Sequence, residues 1–158
     1  MLKWLQGRFP TATIKRQYQG PKTEQDGTTH FDFYLTFTDG FSVIIELDGP
    51  QHFWCDQKYY TDDCCDRDLF KEQWAVDTQG LCIVRVLQED VWNDRYGWQG
   101  WLTRSVADAA TCAPRVFTPD TPEYRSDESA YVKLRKRKHG MPSGFFQVDR
   151  YSKTSSHG

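Results

Sequence analysis

Two short apolar-alternating segments, residues 31–37 and 42–48, flank Asp39-Gly40, and their pairing limits the fold more than any other feature. Side chains alternate between the two faces of a strand. In the first segment Phe31, Phe33, Leu35 and Phe37 share a face, and Asp32, Tyr34 and Thr36 share the other. In the second, Val43, Ile45 and Leu47 oppose Ile44, Glu46 and Asp48. A one-residue slip turns every side chain over, so apolar faces match only when odd positions meet odd positions. Phe33 opposite Leu47, or Phe31 opposite Leu47, satisfies this, with Asp39-Gly40-Phe41 or Thr38-Asp39-Gly40 as a three-residue loop. A two-residue Asp-Gly turn would set Phe33 against Glu46 and is rejected.

Either register has a chemical consequence. Asp32 lands across from Glu46 or Asp48, so three carboxylates share one face at one end of a hairpin. Clustered acids raise one another's pKa values, and a divalent cation relieves the repulsion. Mg²⁺ (or Mn²⁺) suits such oxygen ligands and keeps several waters. A solvated polar face is the simpler reading, but Tyr34 and Ile44 lie on that same face. Something covers it, and buried acids need partners.

The 158 residues suit one domain, and 15% aromatic content excludes a disordered chain. No apolar run reaches the length of a membrane span, so no membrane partner is expected. The first residues lack the apolar stretch of a secretory signal, giving an intracellular, non-secreted expectation. The formal net charge of -2 hides an asymmetry: from Tyr131 onward there are seven basic side chains and one acid. A basic tail on an acidic body suggests a local nucleic-acid contact.

Along the chain we expect a helix near residues 2–8, a strand at 11–18 and a loop at 19–30. The hairpin follows, then a helix at 67–79 stopped by Gly80, a strand at 82–87 and a helix near 98–110. Pro114, Pro119 and Pro122 break up the remainder. The fold class is α/β, a mixed sheet of about four strands flanked by helices. Residues 1–112 form the core, and 113–158 a proline-containing extension with a basic tail.

The strings Phe31-Asp32-Phe33, Ile44-Ile45-Glu46-Leu47-Asp48-Gly49-Pro50-Gln51-His52-Phe53, Arg67-Asp68 and Ile83-Val84-Arg85-Val86 resemble the PD-(D/E)XK nuclease superfamily. The similar branch is that of very-short-patch repair endonucleases and related small restriction-like and homing nucleases. The resemblance spans roughly residues 1–95. It implies a restriction-endonuclease-like core and a Mg-dependent endodeoxyribonuclease, a phosphodiesterase of repair, restriction or homing type. Asp32 and Glu46 match the two acids and His52 the histidine after the Asp-Gly turn. Where the superfamily carries lysine, two residues after Glu46, this chain has Asp48. Lys71 and Arg67, four apart on one helix face, are the candidates to supply that positive charge.

In this reading Asp32, Glu46 and Asp48 hold the metal, His52 is a general base or a partner of the metal's ligands, and Gln51 positions water or phosphate. Arg67 and the run Lys133, Arg135, Lys136, Arg137 and Lys138 contact the nucleic-acid backbone. A structural Zn²⁺ on His52, Cys55, Cys64 and Cys65 is a weaker alternative, because no paired Cys-x-x-Cys spacing is present. The Glu-x-Asp-Gly-Pro-x-His-Phe string is also similar to the RAP domain, an RNA-associated module. That leaves an RNA-binding module, or a catalytically inactive nuclease fold that binds, as alternatives to DNA cleavage.

Overall fold

The hairpin lies at the centre of the sheet. A computed structural model describes residues 1–23, 27–54, 62–139 and 145–147. Strand β2 (Gly27–Thr36) pairs antiparallel with β3 (Ser42–Asp48) through Thr36↔Ser42, Leu35↔Val43, Tyr34↔Ile44 and Phe33↔Ile45. This is the register of the Thr38-Asp39-Gly40 loop. Phe37 N–H donates to the Phe41 carbonyl at 2.8 Å, and Gly40 closes the turn at φ 88°. Only glycine takes that conformation without steric cost.

Around the hairpin the chain adds α1 (Leu2–Arg8), β1 (Thr13–Thr23), α2 (Asp62–Gln73), β4 (Cys82–Leu87), α3 (Gln88–Trp92) and α4 (Trp98–Ala109). Then come β5 (Val116–Thr118), α5 (Pro122–Arg125), α6 (Ala130–His139) and β6 (Phe145–Gln147). The strands lie in chain order across a mixed sheet. β1, β2 and β3 run antiparallel, whereas β4 and β5 follow β3 in parallel. The three-residue β6 joins the edge beside β5. Parallel neighbours need a crossover. α2 provides the first, between β3 and β4, and α3 and α4 the second, between β4 and β5.

Each sheet face has its own core. One gathers Phe33, Leu35, Val43, Ile45, Val84 and Val86 against Leu5 of α1 and Trp101, Leu102 and Val106 of α4. The other packs Phe31, Ile44, Ile83 and Val116 against Ala75 and Val76. Ala75 and Val76 lie in a π-helical turn, Trp74–Thr78, that carries α2 on to Gly80 at φ 65°.

Four expectations change. The sheet exceeds four strands, because β5 and β6 are three residues each and too short to display alternation. The loop expected at 19–30 is largely strand. β1 runs to Thr23 across a register irregularity between Gln19 and Lys22, which absorbs Gly20 and Pro21. A Cβ on Gly20 would lie 2.6 Å from Thr29 Oγ1, so glycine is what lets the two strands approach there. Phe31 does not share a face with Phe33: it belongs to the opposite core. The alternation breaks at Asp32, opposite Gln17, a non-glycine residue at φ 50°. Finally, the segment after residue 112 is no appendage. β5 extends the sheet, and Tyr124, Tyr131 and Arg135 are buried within the body. Among the described residues no helix is long and apolar enough to cross a membrane.

Candidate functional site

The break at Asp32 organises the site. Beyond Phe33↔Ile45 the Asp32 side chain reaches across to β3, where its Oδ2 accepts the Leu47 N–H at 2.8 Å. The Asp32 N–H in turn points at Glu46 Oε2, 3.4 Å away. The two carboxylates therefore meet where the strands part. Lys71 of α2 completes the group, with Nζ 2.9 Å from Glu46 Oε1. The displaced Phe31 ring supports that ammonium from below, 4.7 Å from Nζ. Glu46 is almost fully buried, and burial pushes its pKa up to about 8; Lys71 opposes the shift, and Asp32 adds to it. A pair of hard oxygen donors of this kind fits Mg²⁺, which takes one or two carboxylates and keeps its waters.

Asp48, expected as a third metal ligand, is engaged elsewhere. Arg85 Nη1 donates to both its oxygens, at 2.8 and 3.0 Å, and the Tyr124 hydroxyl donates to Oδ2 at 2.7 Å. Its lone pairs serve an ion pair, and it is only 2% exposed. Among the described residues no group of three or more His, Cys, Asp or Glu side chains is arranged around a common metal position.

Arg85 is the hub of a buried charge network. Its Nη2 donates to Asp68 at 2.9 Å and its Nε to Glu72 at 3.1 Å, both on α2. Arg135 of α6 donates to both Glu72 oxygens, at 3.0 and 2.7 Å, and lies 3.4 Å over the Tyr131 ring. His52 stands between Asp68, 3.5 Å from Nδ1, and Asp48, 3.8 Å from Nε2. Burial alone would lower the His52 pKa, but the two carboxylates outweigh it and raise it to about 9. Standing between two acids, His52 is favoured as a cation. Asp68 shows the complement: burial would push its pKa up, yet Arg85 and then His52 hold it well below the carboxylate range. Asp48, Asp68 and Glu72 thus face Arg85, Arg135 and His52, a balanced set with no net charge.

A polar cleft of about 350 Å³ opens between the β2 end and α2, lined by His30, Gln51, His52, Arg67, Asp68 and Lys71 among others. Lys71 links this cleft to the Asp32–Glu46 pair. Arg67 and Lys71 do share a face, as their four-residue spacing requires. The Gln51 amide folds back over Gly49, where a Cβ would collide with Oε1.

The basic run divides. Arg135, expected on nucleic acid, is 1% exposed and belongs to the interior. Lys133, Lys136 and Arg137 are exposed, with Lys136 paired to Asp127. Of the residues proposed for zinc, Cys65 packs with Leu69 and Leu134, while both His52 nitrogens face carboxylates. Cys55 and the side chains of Cys64 and Lys138 lie outside the described residues.

Sequence reasoning passed over Glu72, Tyr124, Tyr131 and the role of Arg85. One signal was present for Arg85: a guanidinium in the middle of the apolar strand Cys-Ile-Val-Arg-Val-Leu has to be buried and therefore paired. Compared with protein-family models, curated proteins and solved structures, the chain matches none.

Proposed function

We propose that this chain is a metal-dependent nuclease with a restriction-endonuclease-like core that hydrolyses DNA phosphodiester bonds. The observation that carries the reading is the meeting of Asp32, Glu46 and Lys71 at the parting of β2 and β3, beside a cleft lined by Arg67 and His52. Two acids and a lysine are the side chains this chemistry needs. Here the lysine comes from α2 instead of from β3, which answers the appearance of Asp48 two residues after Glu46.

Asp32 and Glu46 would hold Mg²⁺ or Mn²⁺, which when bound supplies Lewis-acid polarisation of the phosphate and an acidified water. Lys71 orients Glu46 and brings positive charge to the developing phosphorane. Arg67 and His52 attract the phosphate into the cleft. The buried Arg85 network fixes His52 and the turn that carries it. The deciding assay is incubation with supercoiled plasmid, linear duplex, single-stranded DNA and RNA, each with Mg²⁺, Mn²⁺ or EDTA. Cleavage of DNA with metal is expected, and Asp32→Asn or Glu46→Gln should bring it to background with the fold intact. Wild-type cleavage by a pure Glu46→Gln sample removes the assignment. One observation favours the alternative of an inactive binding fold: Asp48 is spent on Arg85, leaving two carboxylates for a cation. Binding without cleavage in every metal arm would establish that alternative, and retention of RNA over DNA would point to an RNA module.

A further inference from the structure

A second cavity of about 350 Å³ lies on the other side of the turn that lines the cleft. The 3-10 turn Pro50–His52 is the partition between them. Gln51 and His52 look into the polar cleft, whereas Pro50, Phe53 and Trp54 line the second cavity. The two cavities have opposite character. The second has an apolar floor, Phe53 and Leu87, both buried. Two of its walls carry aromatic rings that stay open to solvent, Trp54 at 39% and Tyr96 at 51% exposure. Its rim includes Glu123 and Asp120, the latter paired with Arg125 at 3.1 Å, while Asp90 lies buried below at 3% exposure. The cation of the rim, Arg95, is paired with Glu89 at 3.0 Å and Asp90 at 3.5 Å. Tyr96 at φ 60° and Asp94 at φ 48°, on either side of Arg95, are non-glycine residues in the left-handed region, which carries a steric cost.

An acidic rim repels phosphate and accepts hydrogen bonds, and exposed aromatic rings over an apolar floor take a flat ring. We propose that this cavity seats an unstacked nucleobase of the strand whose phosphate occupies the neighbouring cleft, favouring bases with an exocyclic amino group. Adenine, cytosine and guanine carry such donors, and thymine does not. The inference rests on the nuclease reading, because it takes the cleft across the turn as the seat of the phosphate. Stacking on protein aromatics is tolerant of base identity and is worth about tenfold or more in affinity per base. Glu123 at the rim adds the discrimination.

The test uses the full chain in EDTA with fluorescein-labelled single strands of about 12 nucleotides: oligo-dA, oligo-dC, oligo-dT and an abasic backbone of equal length. Anisotropy should give oligo-dA and oligo-dC about tenfold tighter binding than the abasic strand, with oligo-dT between them. Trp54→Ala and Tyr96→Asn should each remove most of that margin and leave abasic affinity unchanged. Quenching of a 2-aminopurine in the strand by wild-type protein gives the same answer without any substitution. Equal affinity for abasic and base-bearing strands, or variants that weaken both alike, would overturn the pocket. If that result accompanies normal metal-dependent cleavage, the pocket alone falls. If the wild-type chain neither binds these strands nor binds or cuts duplex, the nuclease reading falls with it.

Discussion

Glu46 and Asp48 leave the same strand two residues apart, on the same face, and meet opposite fates. Asp48 receives two hydrogen bonds from Arg85 and one from Tyr124 and sits in a block where three acids face three cations. Glu46 receives one lysine and a second acid, Asp32, so that burial keeps its pKa near 8. The contrast separates two uses of a buried carboxylate. A fully compensated acid binds secondary-structure elements together and has no electrostatic demand left. An under-compensated one retains demand for a further cation, which is the property a metal ligand requires.

Substitutions can break this contrast from either side. At the under-compensated group, Lys71→Met should cost about 10²–10³ in cleavage rate, the range for losing one preorganised charge, with little change in folding. Measured single-turnover rates check it, and an unchanged rate would put the required charge elsewhere. At the compensated group the expected effect is on stability. Arg85→Met, or Arg135→Met, strands buried carboxylates and should cost about 3–5 kcal/mol in denaturant unfolding. Equal small losses at Arg85 and Lys71 would dissolve the distinction between the two groups.

The pH dependence sharpens it. Glu46 titrates near 8 in the folded chain against an ordinary 4.5, and His52 near 9 against 6.5. Both native values are raised, so each contribution is complete below the ordinary value and disappears as pH climbs through the native one. Asp68 is held down, so its contribution is present above 3.8 and disappears in acid. The urea midpoint should therefore fall as pH rises from about 4.5 to about 9, Glu46 contributing between 4.5 and about 8 and His52 between 6.5 and about 9, and Glu46→Gln should remove the part of that fall that begins on the acid side. The smallest effect belongs to the exposed face of α6. Replacing Lys133, Lys136 and Arg137 by Gln should flatten the salt dependence of duplex binding by about 0.9 for each phosphate that these side chains no longer neutralise, without sequence preference. An unchanged slope would take α6 off the nucleic acid altogether.

Much of this was legible in the chain before any coordinates. Parity matching of apolar faces narrows the hairpin to two registers with three-residue loops, and the observed one, with Thr38-Asp39-Gly40 as the loop, is one of the two. It also brought Asp32 and Glu46 together, and the need for a replacement lysine pointed to Lys71. Strict alternation does not hold along the whole of β2. Phe31 crosses to the other face because the ribbon is irregular at Gln17 and Asp32, and no residue-type pattern encodes a left-handed glutamine. Arg135 is hidden in the sequence, since a basic run reads as a solvated surface. On a helix, however, Tyr131, Val132, Leu134 and Arg135 share the inward side while Lys133, Lys136 and Arg137 face out. Tyr124, more than seventy residues from its partner Asp48, carries no local signal at all.

The placement of Arg135 has a consequence for the order of events on the ribosome. A nascent chain that has released only its first 112 residues already holds Asp48, Asp68 and Glu72 but lacks one of the guanidinium groups that neutralise them. Until α6 emerges, Arg85 and His52 alone face those three acids. The full complement of charges in the centre, though built on strands synthesised long before, is reached only when the helix that carries Arg135 has left the exit tunnel.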